Sequence, residues 1–405
     1  MINLLDDPRK LHSGAPWWLV RNGLAEQPEV RRAQCDVAVI GAGITGVMVA
    51  DRLTDAGLDV TLVDRRAPGY GSTAVSTALV QYELDTQLYQ LTARTGADDA
   101  RRAYTLCFDA VRELSQIVRS LGDDCGYAPR PSLYLATSKA GAAEVTREVA
   151  ARTAAGFEVA EWSAAEVRRR YGLLSRGALR NEHAAVVDPV RLCRALLART
   201  LARGGGLMPR TTATRVVPAE GGFVIETDRG PLQARQVVLA IGYEVPESLL
   251  GSQVTRHSTY AMVTEPLDDL GPLEDGCMVW ETRRPYTYLR TTDERRILVG
   301  GGDVDFTSAD DRDRLLPQRT RMLQRKLDRM LPALGASMEF SWAGTFVATD
   351  DGLPIIGPVG GMPGAWYALG YGGNGITFAV VAARLLASAC LGAPPSDLRL
   401  FRADR

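Results

Sequence analysis

Two short apolar runs near the amino terminus stand on either side of a segment with helical spacing. The first run is Val37–Ile40, and the second is Val60–Val63, which ends at Asp64. Continuous apolar runs of this length, bounded by glycines, are typical of buried parallel strands. The pattern therefore predicts a strand, a glycine turn, a helix and a second parallel strand with an acidic residue at its tip.

Three glycines, Gly41, Gly43 and Gly46, open the helix of this unit. In such a turn the first glycine permits the tight bend, the second lets a pyrophosphate approach the backbone, and the third lets helix and strand pack closely. The helix N-terminus offers free N–H groups and the positive end of its dipole to phosphates. Asp64 can accept two hydrogen bonds from a ribose. We predict a dinucleotide site; the alternative is a unit whose glycines serve packing only.

Further along the chain, helical spacing alternates with short strand patterns. Helices are predicted at 89–120, 139–155, 163–171, 189–203 and 311–330, and strands at 132–138, 214–217, 223–227, 231–234, 236–242, 257–267 and within 277–303. The strands after 257 suggest an antiparallel sheet distinct from the parallel one. The predicted fold class is α/β, a Rossmann-like dinucleotide domain (35–88, 183–247 and 341–405) with an inserted antiparallel-sheet substrate domain (89–182 and 248–340). An N-terminal arm covers 1–34.

Two further stretches are suited to contacting a ligand closely. The loop after Asp64 carries small hydroxyl residues that can donate to phosphate or ribityl oxygens, although an ordinary Ser/Thr loop is the alternative. Near the C-terminus a strand at 366–369 runs into four glycines, and a helix opens near Asn374. This second strand–glycine–helix junction again aims N–H groups at an anionic or carbonyl edge. The residues concerned are Ser72, Thr73, Ser76, Thr77, Gly370, Gly372, Gly373 and Gly375.

Bulk properties exclude several classes of protein. The 405 residues are 46% hydrophobic and 23% charged with a net charge of −1, which is ordinary for a soluble globular chain and gives no nucleic-acid footprint. No apolar window is long enough to span a membrane, and the N-terminus lacks the apolar core of a secretory signal. Six scattered cysteines indicate reduced thiols in a cytoplasmic protein, and three dispersed histidines argue against a metal site. Trp17 and Trp18 are expected to anchor the arm, or else to form a lid or partner contact.

The ordered motifs resemble a known family. VAVIGAGITG with VTLVD, GSTAVSTAL, VVDPVRL, VVLAIG, RILVGGGD, WAGTF with DGLPIIGP, and GYGGNGIT occur in that order from Cys35 to the end of the chain. Together they resemble the FAD-dependent D-amino-acid oxidase superfamily, which includes glycine oxidase, sarcosine oxidase, D-amino-acid dehydrogenase and γ-glutamylputrescine oxidase. The resemblance implies a glycine oxidase-like fold and FAD as the dinucleotide.

The resemblance also implies which residues hold FAD. Residues 41–46 would hold the pyrophosphate, Asp64 the adenosine ribose, residues 72–79 the pyrophosphate and flavin, and residues 370–377 the flavin ring, whose reduced form the helix dipole would stabilise. Val216 would offer backbone contacts to adenine. The full set is Gly41, Ala42, Gly43, Ile44, Thr45, Gly46, Asp64, Arg65, Arg66, Ser72, Thr73, Ser76, Thr77, Ala78, Leu79, Val216, Gly242, Gly344, Gly370, Gly372, Gly373, Asn374, Gly375, Ile376 and Thr377.

Departures from the family pattern bear on flavin attachment and on the substrate. Sarcosine oxidase links its flavin to a cysteine near the position of Gly344, whereas this chain has no cysteine from 278 to 389, so non-covalent FAD is expected. The carboxylate-binding arginines of glycine oxidase and sarcosine oxidase correspond to Phe346 and Gln81, which cannot form a bidentate pair.

Either another arginine binds a substrate carboxylate or the substrate lacks a carboxylate beside its amine. Arg290 is the best candidate, because Tyr286, Tyr288 and Arg290 share a strand face by period 2. A surface salt bridge is the alternative for Arg290. Tyr260, on the neighbouring strand, is a second candidate.

The resemblance implies oxidation of a C–N bond of an amine or amino acid by hydride transfer to flavin, followed by imine hydrolysis. The electron acceptor would be dioxygen or a quinone or carrier. Sarcosine oxidase uses a lysine for dioxygen about where this chain has Leu298, which favours the second acceptor. A redox-neutral FAD-binding subunit of a complex is the third hypothesis.

Overall fold

A computed structural model describes residues 1–4, 11–23, 25–246, 249 and 254–405. The helices within these ranges are α1 Trp17–Asn22, α2 Ile44–Asp55, α3 Ser72–Val75, α4 Leu88–Thr95, α5 Ala97–Arg119, α6 Lys139–Ala154, α7 Ala164–Tyr171, α8 Pro189–Ala202, α9 Ala309–Met330 and α10 Gly375–Cys390. The strands are β1 Ile2–Asn3, β2 His12–Gly14, β3 Gln34–Ile40, β4 Val60–Val63, β5 Leu79–Gln81, β6 Ala128–Leu135, β7 Ala160–Trp162, β8 Ala178–Val186, β9 Gly206–Met208, β10 Ala213–Ala219, β11 Gly222–Thr227, β12 Leu232–Leu239, β13 Val254–Thr264, β14 Met278–Glu281, β15 Thr287–Thr291, β16 Ile297–Asp305, β17 Met338–Thr349, β18 Ile355–Pro358 and β19 Ala365–Leu369.

The first sheet has a parallel centre. Strands β9, β4, β3, β12 and β19 run parallel to one another, and the antiparallel strands β1, β10, β11 and β18 extend the sheet. Apolar residues fill β3 and β4 because helices cover this part of the sheet, as the continuous apolar runs predicted. Helix α2 packs on both α8 and α10, and α10 also contacts α5.

The second sheet is mainly antiparallel, in the order β2-β17-β13-β16-β15-β14-β6-β8-β5 with β7 beside β8. The strands predicted after 257 pair antiparallel with one another, and one further pair, β14 with β6, is parallel. Helix α9 packs against β13, β16 and β17, burying Leu323 and Leu327 among the side chains of one sheet face. The opposite face of these strands is left to line a cavity between the two sheets.

Two predicted elements differ from the structure for local reasons. The single helix expected over 89–120 is divided into α4 and α5 by Gly96, whose φ of +88° cannot continue a right-handed helix. The two strands expected at 231–234 and 236–242 form the single strand β12. Its first half pairs with β11 and its second half with β19, while β3 runs along its other edge.

The two sheets cut across the predicted domain limits, and the division into domains stays a prediction. Residues 79–81 and most of β17 were assigned to the dinucleotide domain but pair within the second sheet. The predicted limit between 247 and 248 lies outside the described residues. The N-terminal arm joins both sheets, since β1 pairs with β10 and β2 with β17. Trp17 and Trp18 are buried, so the expected anchoring of the arm agrees with the structure.

The contact between Gly46 of α2 and the preceding turn leaves no room for a side chain. A Cβ added to Gly46 would lie 1.8 Å from the carbonyl oxygen of Gly41. We therefore expect Gly46→Ala to lower the free energy of unfolding by about 3 kcal/mol or more, the upper range for overpacked cores, as measured by chemical denaturation.

Gly360→Ala is the matched control, because an added Cβ at Gly360 meets no described atom within 4 Å. It should leave the unfolding free energy unchanged. An equal unfolding free energy for Gly46→Ala and the wild type would show that the helix does not approach the turn as described.

Candidate functional site

A long cavity lies between the sheets, at the carboxyl ends of the parallel strands. Ile40 at the end of β3, Val63 at the end of β4 and Ala240 after β12 line it on one side. Ligands of open parallel sheets bind at this edge. The N-termini of α2 and α10 both face the cavity, and neither N-cap residue, Gly43 or Asn374, makes a side-chain capping bond. Two sets of helix-end N–H groups are thus directed at the same space.

The first glycine turn and the hydroxyl loop meet at the N-terminus of α2. Gly41 has a φ of +107°, which favours glycine, and its missing Cβ would lie 2.2 Å from the carbonyl oxygen of Ala240. The backbone N–H of Ile44 donates to the Thr73 hydroxyl at 2.9 Å. Gly43 leaves the approach open, because a Cβ added there would meet, among the described atoms, only the Thr73 hydroxyl at 3.3 Å. The predicted partners of a pyrophosphate therefore lie side by side.

Asp64 is half-buried at the other end of the turn and is held by two backbone donors. Its carboxylate accepts from the Ala42 N–H at 2.6 Å and from the Arg66 N–H at 2.7 Å. Burial raises the pKa of the Asp64 carboxyl, and these two N–H groups oppose that rise. Two backbone donors leave further lone pairs on the carboxylate for ribose hydroxyls.

The two arginines after Asp64 are paired with one acid. Arg66 donates to both carboxylate oxygens of Glu244 at 2.6 Å, and Arg65 also pairs with Glu244. This fork-to-fork geometry fixes the guanidinium of Arg66 at the Asp64 end of the cavity. The positive charge of this end is largely neutralised by Glu244.

Two indole groups hold the hydroxyl loop (residues 72–79) from outside the cavity. The Val75 carbonyl oxygen accepts from Trp342 Nε1 at 3.0 Å, and the Ser76 carbonyl oxygen accepts from Trp18 Nε1 at 2.6 Å. Both donors are buried. Because each carbonyl has its partner outside the cavity, the loop presents its hydroxyl side chains inward, where Ser72, Thr73, Ser76 and Thr77 line the cavity.

Arg290, predicted as a substrate residue, does not line the cavity and is a third external donor to the same loop. Its Nη1 donates to the carbonyl oxygens of Ala78 at 2.8 Å and Val187 at 3.2 Å, and its guanidinium lies 5.2 Å from the Trp18 ring. Its side chain is buried outside the cavity. Burial lowers the pKa of the Arg290 guanidinium to about 9, although Asp188 and Asp293 oppose this. Arg290 shares a strand face with Tyr288 as predicted, but it lies beyond the rim of the cavity.

Tyr260 also falls outside the cavity, because of strand alternation. Thr259 lines the cavity, so the next residue of β13 points to the other face of the sheet. There Tyr260 packs in one cluster with Leu323 and Leu327 of α9. The structure therefore does not bring Tyr260 together with the other predicted substrate residues.

The second glycine junction is tied to β5 and to the segment after it. Asn374 Nδ2 donates to the Glu83 carbonyl oxygen at 2.8 Å, and the Thr377 hydroxyl donates to the Gln81 carbonyl oxygen at 2.8 Å. The Tyr243 hydroxyl donates to the Gly372 carbonyl oxygen at 2.8 Å. The N-terminus of α10 is thereby fixed against the strand that follows the hydroxyl loop.

A buried ionic network supports the same strand. Arg152 donates to Glu83 at 2.8 Å and to Glu148 at 2.6 Å, and all three side chains are fully buried. Glu83 also accepts from Gln81 Nε2 at 3.0 Å. Removing one partner from such a network leaves an uncompensated charge, which is strongly destabilising. Gln81 is therefore held at the cavity wall by a hydrogen bond to a fixed acid.

Aromatic and acidic side chains form the wall of the second sheet. Tyr288 and Phe346, both predicted from the sequence, line the cavity together with Trp280, Tyr286, Asp85 and Asp303. Tyr286 and Tyr288 have ring centroids 5.6 Å apart, and the Tyr286 hydroxyl donates to Asp85 at 2.8 Å. This region is called the aromatic wall below (Trp280, Tyr286, Tyr288 and Phe346).

Most of the predicted cofactor residues line this one cavity. They are Gly41, Gly43, Ile44, Thr45, Asp64, Arg65, Arg66, Ser72, Thr73, Ser76, Thr77, Ala78, Leu79, Gly242, Gly344, Gly372, Gly373, Asn374, Gly375 and Ile376. Five other predicted cofactor residues do not line the cavity: Ala42, Gly46, Val216, Gly370 and Thr377. Of these, Val216 is enclosed between β1 and β11, and the cavity is bounded nearby by Thr211, Thr212 and Ala213.

Several lining residues were not predicted from the sequence. Asp85 and Trp280 carry no motif that would identify them, and Tyr243 and Glu244 directly follow Gly242, which was predicted as a cofactor residue. Asp303 ends the GGGD run, where three glycines inside a strand are a signal for a bulge. That signal could have identified Asp303 as a candidate site residue.

The residues present fit a dinucleotide. The N-terminus of α2 and the acid at the tip of β4 match a pyrophosphate and a ribose, and the N-terminus of α10 offers N–H groups to another part of the same ligand. Ser72 Oγ lines the cavity, is buried, and has no hydrogen-bond partner among the residues described. A buried hydroxyl without a partner is unusual, and a ligand oxygen would supply one.

Comparison with known proteins agrees with this fit. Residues 36–389 match the family model described as FAD dependent oxidoreductase (DAO). The chain is 26% identical over 372 residues to gamma-glutamylputrescine oxidoreductase of Escherichia coli (strain K12), covering 88% of this chain and 84% of that protein. It is 26% identical over 411 residues to D-amino acid dehydrogenase 2 of Ralstonia nicotianae, covering 87% of this chain and 95% of that protein.

A solved structure shares the fold. Glycine oxidase from Geobacillus kaustophilus superposes with a TM-score of 0.77 at 20% identity, covering 92% of this chain and 99% of that one. The predicted glycine oxidase-like fold class is thereby confirmed. No helix among the described residues is long and apolar enough to cross a membrane.

The indole donor of Trp18 can be tested separately from its ring. Trp18→Phe keeps an aromatic ring but leaves the Ser76 carbonyl oxygen without its donor, which costs about 1–2 kcal/mol. If this bond positions the hydroxyl loop, the dissociation constant for FAD should rise about 5- to 30-fold, as measured by titrating the apoprotein with FAD.

Trp17→Phe is the matched control. The neighbouring Trp17 is equally buried, but its Nε1 has no hydrogen-bond partner in the described part of the chain. It should leave the FAD dissociation constant near that of the wild type. Equal affinities in the two variants would contradict the positioning role of Trp18.

Proposed function

Because the chain belongs to the FAD-dependent oxidoreductase family, we propose that FAD lies along the cavity without a covalent link. The N-terminus of α2 and the hydroxyl loop hold the pyrophosphate, Asp64 holds the adenosine ribose, and the backbone of 211–213 borders the adenine. The flavin ring lies between Gly344 and the glycine junction at 372–375. Support for this arrangement comes from the single continuous cavity that joins all four regions.

The proposed reaction is oxidation of the C–N bond of an amine to an imine, which water then hydrolyses. Bound FAD supplies the two-electron acceptor for the hydride that leaves the α-carbon of the neutral amine. The residues of the chain position the substrate and exclude water. The aromatic wall provides an apolar surface against which the α C–H bond can be placed, and Gln81, held by Glu83, borders the same space.

The observation that carries the substrate assignment is the placement of the cations. Among the described residues that line the cavity, the arginines and lysines are Arg65 and Arg66, and both pair with Glu244 at the Asp64 end. Arg290 is occupied by two carbonyl oxygens outside the cavity. Arg284 packs on Tyr286 at 5.2 Å but does not line the cavity, so a carboxylate beside the reacting amine would have no cationic partner among the described lining residues of the aromatic wall. We therefore propose a substrate without an α-carboxylate.

A second candidate function is a dehydrogenase that passes electrons to a quinone or carrier protein. Leu298 favours it, because this residue is fully buried and places no cation near the cavity for dioxygen. Turnover under air with peroxide release identifies an oxidase, and turnover only with an added dye or quinone identifies a dehydrogenase. A stable partner protein together with failure of every amine would favour the redox-neutral subunit.

Anaerobic mixing of the holoenzyme with paired compounds tests the proposed reaction. Each pair consists of an alkylamine and the α-amino acid that carries the same side chain. Alkylamines should bleach the flavin absorbance faster than their carboxylated partners, by about 10-fold or more, because a buried unpaired carboxylate is costly. Faster bleaching by the α-amino acids would contradict the substrate assignment, and no bleaching by any amine would overturn the function.

The non-covalent attachment has a simple readout. None of the six cysteines lines the cavity, and all six are buried elsewhere. After acid precipitation, the flavin absorbance should appear in the supernatant in full. Flavin retained in the washed precipitate would contradict this proposal.

A further inference from the structure

Three glycines of β16 turn one acid into the cavity. Gly301 and Gly302 have φ values of +128° and +72°, and the pairing of β13 with β16 shifts register between Ser258 and Tyr260, which marks a bulge. A Cβ on Gly300 would lie 2.3 Å from the Tyr288 ring, so glycine there lets the ring lie flat on the strand. The bulge places the next side chain, Asp303, at the cavity wall.

Asp303 has no ionic partner that would account for its burial. Its Oδ1 is buried and makes no hydrogen bond within the described residues. No ion pair within 4.0 Å joins Asp303 to Arg319 or Lys326 of α9, the cations nearest to it, as far as the described residues show. Lys326 is bound to Thr287, and Arg319 lies 5.9 Å from the Tyr260 ring. A buried carboxylate oxygen facing a cavity is suited to a cationic ligand.

The surroundings of Asp303 match an ammonium group in shape and charge. The rings of Trp280, Tyr286 and Tyr288 form a chain of contacts with centroids 6.2 Å and 5.6 Å apart. A second acid, Asp85, lies nearby, and it accepts from the Tyr286 hydroxyl at 2.8 Å and the Gly373 N–H at 3.2 Å. Aromatic faces beside carboxylates attract alkylammonium ions by cation–π and ionic interactions.

We propose that Asp303 and the aromatic wall bind a second, protonated amino group of the substrate, so that the preferred substrates are alkyl chains with two amines. This inference rests on the proposed function, since one amine is oxidised at the flavin. The other amine stays charged and pairs with Asp303. Asp303 is thus a substrate-binding residue that selects a diamine, through its charged second amino group, over an otherwise identical monoamine.

Titration of Asp303 gives this selection a pH dependence. Burial raises the pKa of the Asp303 carboxyl to about 6, with Asp85 adding to the rise and Thr259, Arg319 and Lys326 opposing it. Tyr286 and Tyr288 also face this carboxyl, and both remain neutral because burial raises their pKa values. Below about pH 6 the Asp303 carboxyl becomes neutral in the free enzyme. The preference for the diamine over the monoamine should therefore weaken as the pH falls.

Calorimetric titration of the dithionite-reduced holoenzyme measures binding where no turnover can occur. The probes are a short series of α,ω-diaminoalkanes, each paired with the n-alkylamine of equal length. When the titration is run at about pH 7.5, the best diamine should bind about 10- to 100-fold more tightly than its monoamine. This is the affinity range that a hydrogen bond to a charged group contributes. Asp303→Asn should abolish that ratio, flatten its pH dependence and retain FAD.

Asp305→Asn is the matched control on the same strand, because the Asp305 side chain is 89% exposed and lies outside the cavity. It should keep the wild-type ratio. Equal binding of diamine and monoamine by the wild type, or an undiminished ratio in Asp303→Asn, would overturn the proposal. Preferential diamine binding without flavin bleaching by any amine would instead overturn the proposed function and leave the Asp303 site standing.

Discussion

The contact of the Arg290 guanidinium with the carbonyl oxygens of Ala78 and Val187 is the interaction on which the site depends. A buried guanidinium is costly to desolvate, and its placement here is stabilised by the two carbonyl groups and the face of Trp18. The contact fixes the end of the hydroxyl loop and, at the same time, holds the Arg290 guanidinium outside the cavity. Arg290 therefore helps to shape the cofactor site, and it is not available to pair with an α-carboxylate of the substrate.

Further buried contacts hold the other elements that border the cavity. Trp342 and Trp18 hold the loop from the second sheet and from the N-terminal arm, and the buried Arg152 network holds β5, onto which the N-terminus of α10 is bonded. Two helix N-termini from distant parts of the chain are thereby brought to one ligand. The N-terminal segment is part of this framework, because its strands pair with both sheets and its indole reaches the loop.

The glycine-rich parts of the site could be predicted from sequence because their constraints are local. Gly41 has a positive φ, Gly46 is required by the carbonyl group of Gly41 in the same turn, and Asp64 follows from the length of one βαβ unit. The sequence could not show that Arg290 and Tyr260 lie outside the cavity lining, because period-2 alternation identifies a strand face but gives neither the end of the cavity nor the face that a helix covers. Asp85 and Trp280 come from segments far apart in sequence, and only the packing of the second sheet brings them together.

A crystal structure of the FAD-bound protein tests the central claim most directly. We expect the pyrophosphate at the N-terminus of α2, the flavin ring between Gly344 and residues 372–375, and the open face of the ring toward Tyr288 and Asp303. Arg290 should still donate to the carbonyl oxygens of Ala78 and Val187. A flavin ring bound elsewhere, or an Arg290 side chain turned into the cavity beside the ring, would contradict it.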